Sequence, residues 1–149
     1  MSEYKSLNKI LQIPDNKIIR EVSSPRGLIT VVKTGRIPLR YSPGLSLKNP
    51  HKLPEQLALF TDGDSLSAIN RFNYDISEIG HMDYVTGALA YHLVKSPKVL
   101  ISGLSGGENI LRALYFNSEK IDVVETNPQI VELLKKEYNN FSGNIYDLP

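Results

Sequence analysis

Short runs of β-type residues, broken by turn residues, fill the chain from position 17 to about position 72. Residues 17–22 form the first run, and Ser23-Ser24-Pro25-Arg26-Gly27 follows as a turn cluster. Residues 28–33 are the best strand of this half, rich in β-branched side chains and bounded by Gly27 and Gly35. Residues 36–41, 45–47 and 57–61 predict further short strands. Pro38, Pro43, Pro50 and Pro54 keep them short or at sheet edges. Asp62-Gly63-Asp64 predicts a hairpin turn. Ahead of all this, residues 2–11 predict a short amphipathic helix or a frayed end.

The period then changes. Residues 82–93 predict a helix with Met82, Val85, Leu89 and His92 near one face, stopped by Ser96-Pro97. Residues 98–102 are almost wholly apolar, the pattern of a strand buried on both faces. Gly103-Leu104-Ser105-Gly106-Gly107 follows, then a helix over 108–116 and a strand over 121–125. Asn127-Pro128 supplies an N-cap with proline at the first helical position, so a second helix starts there. The order is βαβα, and the fold class is α/β: an N-terminal segment (1–16), a small β-domain (17–80), and the first unit of a Rossmann-type domain (81–149).

Composition narrows the chemistry. With 149 residues, 41% hydrophobic, and no cysteine, thiolate catalysis and zinc–thiolate sites are excluded. No apolar run approaches the ~18 residues of a membrane span, and a cytoplasmic location is the expectation. The net charge of +1 hides a split. Residues 1–54 carry ten Lys/Arg against three Asp/Glu, and residues 55–149 carry seven against thirteen. Dispersed bases with only Tyr41 among them disfavour nucleic acid, so docking of the basic half on the acidic half is expected instead.

The informative cluster is the glycine loop together with Glu125, 22 residues after Gly103. Glycines after a strand let the backbone approach a ligand, and an acid at the end of the next strand accepts hydrogen bonds from ribose hydroxyls. A dinucleotide fingerprint needs glycine where Gly103, Ser105 and Glu108 stand, and only one matches. The Gly-x-Gly-x-Gly spacing of adenosylmethionine-type loops falls on Gly103, Ser105 and Gly107, a better fit. Gly103, Ser105, Gly106, Gly107, Glu125 and Asn127 are therefore the candidate ligand-binding residues, and no catalytic residue is assigned. His51, His81 and His92 do not form a metal site. The last two lie about 16 Å apart on an ideal helix, and each is expected to be satisfied or solvent-exposed.

Residues 99–111, 123–133 and the Leu57-Ala58-Leu59-Phe60-Thr61-Asp62-Gly63 hairpin resemble the polyamine (spermidine/spermine) synthase family. Within it, the nearest resemblance is to bacterial spermidine-synthase-like proteins, which residues 22–62 and 141–147 also fit. The resemblance implies a transferase domain binding S-adenosylmethionine or its decarboxylated form as co-substrate, without a metal. Gly103, Ser105 and Gly107 would line the donor loop, and Glu125 would hold the ribose. Gly106 stands where the family carries an acid that grips the donor's amino group, and Leu66 stands where it carries a glutamine. Methyl transfer on the same scaffold and a non-catalytic nucleoside-binding or assembly module are the alternatives. Such sheets have more strands than the two predicted here. The sequence therefore reads as a truncated piece of a longer protein, or as a chain completed by its own copies in a homodimer.

Overall fold

A computed structural model describes residues 4–147. The β-rich half forms a four-stranded antiparallel sheet in the order β1-β2-β3-β4, with β1 Lys17–Ser24, β2 Gly27–Lys33, β3 Gln56–Thr61 and β4 Ser67–Asn70. Period-two alternation gives this sheet two buried faces. Ile29, Val31, Leu57, Leu59 and Ile69 point into the main core. Val32, Ala58 and Phe60 point the other way, onto Leu7 of helix α1 (Ser6–Leu11). β1 is the polar, mostly exposed edge, which blunts it against further pairing.

Residues 36–41 and 45–47 are not strands, contrary to the pattern reading. The backbone of Tyr41 is satisfied by a side chain instead. Its N–H donates to Gln56 Oε1 and its carbonyl accepts from Gln56 Nε2, both at 2.8 Å. Leu45 makes a single antiparallel bridge to Val85. That bridge holds Val85 extended (φ −100°, ψ 148°) and breaks the helix expected over 82–93. The segment is instead a run of 3₁₀ turns over Ile76–Tyr84, another over Thr86–Ala88, and the short helix α2 (Leu89–Leu93).

β5 (Lys98–Ser102) and β6 (Lys120–Val124) pair in parallel, joined by α3 (Glu108–Tyr115). α4 (Pro128–Glu132) follows and widens into a π-type turn over Leu133–Glu137. The expected burial of the first strand on both faces does not hold. Ile101 is buried, but Leu100 is 71% exposed and Val124 of β6 is 56% exposed, because nothing among the described residues packs on that side.

One apolar core joins the antiparallel sheet to this unit: Ile29, Leu57 and Ile69 meet Ile79, Met82, Leu111 and Leu134. The two halves thus dock through apolar surface rather than through their opposite charges. Among the described residues Arg20–Glu137, at 2.9 Å, is the one ion pair between residues 1–54 and the rest. No helix among them is long and apolar enough to cross a membrane.

Candidate functional site

Parallel pairing sets Ser102 beside Val124, so the loop leaving β5 and the residues leaving β6 emerge at the same end of the small sheet. Glu125 sits at that junction and ties the two together. One carboxylate oxygen accepts the Leu104 N–H and the other accepts the Asn127 N–H, each at 2.8 Å. The Thr126 and Ser105 amides add to the set. Burial alone would raise the Glu125 pKa, but these amides outweigh it and hold the carboxyl below its usual range, ionised at neutral pH. A consequence follows for the ligand. The loop amides that would meet a pyrophosphate are already turned on a fixed anion, so a second anion here would meet repulsion rather than donors.

The other loop residues divide by what lies against them. Gly103 (φ +87°) has open space where a Cβ would stand, and Ser105 (φ +48°) is exposed. Both present to solvent. Gly106 is different: a Cβ there would run into the backbone carbonyl of Ala68 on β4. Gly107 (φ +88°) lies under the Tyr146 hydroxyl and Ile145. These two glycines let the loop pack against the protein itself. Asn127 is buried and caps α4, its side chain accepting the Gln129 N–H at 3.1 Å and donating to Ser24 Oγ at 3.3 Å. The structure thus brings Gly103, Ser105 and Glu125 to one open rim, while Gly106, Gly107 and Asn127 hold that rim in place.

Two cavities flank the loop. A groove of about 520 Å³ starts at Glu125 and Leu104 and runs beside Ile121 and Val123 between α3 and α4. Tyr146 closes part of it. Its hydroxyl donates to the Gly106 carbonyl at 3.1 Å, and burial pushes its pKa up, so it stays a neutral donor. The sequence signal for Tyr146 was only its place in the 141–147 stretch.

The second cavity, about 330 Å³, lies between the loop and the antiparallel sheet and is lined by Ser105, Asn109, Leu66 and Tyr41. Its wall holds a largely buried ion pair, Arg112–Glu108 at 3.0 Å. Burial raises the Glu108 pKa despite the guanidinium and the Ser42 hydroxyl beside it.

His51 lies close enough to His81 to act on it electrostatically, but no cluster of three metal-ligating side chains occurs among the described residues. His81 is neither satisfied nor exposed: it is fully buried and neither ring nitrogen has a hydrogen-bond partner. No family model, curated protein or solved structure gives a significant match to this chain.

Proposed function

We propose that the loop–Glu125 rim binds an adenosyl-bearing sulfonium or thioether and is the donor site of a spermidine-synthase-like transferase. The observation that supports this is the ionised Glu125 carboxylate anchored by the Leu104 and Asn127 amides. A fixed anion at the mouth of a groove suits ribose hydroxyls and a positive sulfonium, and it opposes a dinucleotide's pyrophosphate. The transfer would be an in-line displacement at a carbon on sulfur. The nucleophile takes the aminopropyl or methyl group, and the neutral thioether leaves with the bonding pair. The chain's part is positioning rather than covalent catalysis.

A non-catalytic nucleoside-binding module is the second reading, and Gly106 favours it. Any side chain at that position would collide with Ala68, so the amino-gripping acid of the resembling family has no room here.

Calorimetric titration with S-adenosylmethionine, its decarboxylated form and methylthioadenosine tests the proposal. Heat with at least one is expected, and silence with all three at millimolar ligand refutes it. Glu125→Gln should weaken binding by the worth of a charged hydrogen bond, on the order of 1.5–3 kcal/mol. An unchanged affinity would remove Glu125 from the site. Turnover with an amine acceptor separates the two readings.

A further inference from the structure

β6 pairs with β5 on one side and with no strand on the other among the described residues. One hydrogen bond fixes the direction of its backbone groups. Gly103 N–H donates to the Val124 carbonyl at 2.8 Å. Val124, Asp122 and Lys120 therefore turn their peptide groups toward β5, and Ile121 and Val123 turn theirs outward. Open edges of this kind are templates for another strand. The side chains sort by the same alternation. Ile121 and Val123 line the groove on the α3 side, while Lys120 and Asp122 stand on the opposite face with side chains 62% and 55% exposed.

We propose that this edge pairs antiparallel with β6 of a second copy of the chain, about a two-fold axis at Ile121. Charge and backbone direction select that register. Centred on Ile121, the outward peptide groups of the two isoleucines exchange both hydrogen bonds. Lys120 then stands opposite the partner's Asp122, and Asp122 opposite the partner's Lys120. Both ion pairs fall at non-hydrogen-bonded positions, where facing side chains are closest. Centring on Asp122 would set two carboxylates against each other. Centring between the two residues would put Ile121 on the wrong face. Within one chain Lys120 Nζ already lies 2.8 Å from Asp122, so the pairing closes a ring of four alternating charges. The result is a four-stranded sheet, β5-β6-β6-β5, through a self-complementary interface that two-fold symmetry closes. It does not depend on the ligand proposal.

Light scattering over a concentration series tests it, with far-UV circular dichroism reporting the fold of each variant. The wild type should approach twice the 16.7 kDa chain mass. Lys120→Asp and Asp122→Lys should each weaken self-association by about tenfold or more, because like charges then face each other twice. Mixing these two variants in equal amounts should restore the dimer, since every facing pair is again Asp with Lys. The double swap in one chain should restore it too. A wild type that stays monomeric overturns the proposal. So does a dimer that ignores the single reversals, or one that neither the mixture nor the double swap rescues.

Discussion

Lowering the pH from neutral should destabilise this chain through His81. The imidazole is fully buried and neither ring nitrogen has a partner. Burial first, and then the nearby His51 and Arg112, push its pKa from 6.5 down to about 4. A base depressed in the folded state takes up its proton first in the unfolded chain. Between those two values the unfolded state therefore binds the extra proton. The stability at stake is fully present above about pH 6.5 and is lost as the pH falls toward 4. At 1.36 kcal/mol per unit, the gap from 6.5 to about 4 is worth about 3 kcal/mol. That is a large share of the ~5–15 kcal/mol that holds a typical domain together.

Carboxyls titrate in the same range with both signs. Glu125, held low, also loses stability in acid, while Glu108, held high, gains it. The assay is therefore a difference. Urea unfolding of wild type and His81→Leu, followed by far-UV circular dichroism from pH 7 to pH 4.5, isolates the histidine. Leucine keeps the site apolar and removes both the titration and the unpaired nitrogens, so the variant should match or exceed wild type at pH 7. Below about pH 6 its advantage should grow by roughly 1 kcal/mol per pH unit. Parallel stability profiles for the two proteins would refute the reasoning.

Two other substitutions test the scaffold around the rim. Gly106→Ala should cost about 1–3 kcal/mol, because the added methyl meets the Ala68 carbonyl across a backbone that has little room to give; an unshifted urea midpoint would show the loop and β4 to be further apart than described. Asn127→Ala removes the cap on the Gln129 N–H and should cost about 1 kcal/mol, read from the same transition.

What could be read in advance follows from how local each cause is. β2 and β3 were legible as strands because β-branched and apolar runs between turn residues are a property of neighbouring residues. The start of α4 was legible because an Asn-Pro pair contains the whole device, the cap and the preset φ. The broken helix at Val85 was not, because its cause is Leu45, forty residues away. Tyr41 was misread as part of a strand for a similar reason. Its ladder partner is the side chain of Gln56, and no periodicity reports a side chain standing in for a strand.

The glycine loop shows the deepest ambiguity. Glycine is needed wherever another backbone must come close, and neither the residue nor its spacing says whose backbone or ligand that is. Gly103 faces open space, whereas Gly106 meets β4 and Gly107 meets Tyr146, so one motif serves two ends. The glycines that look like ligand contacts are partly the means by which the antiparallel sheet and the 141–147 segment reach the loop. That packing in turn fixes where the Leu104 amide points, and hence where Glu125 is held. A ligand arriving at this rim meets a carboxylate whose position was set from behind, by contacts it never touches.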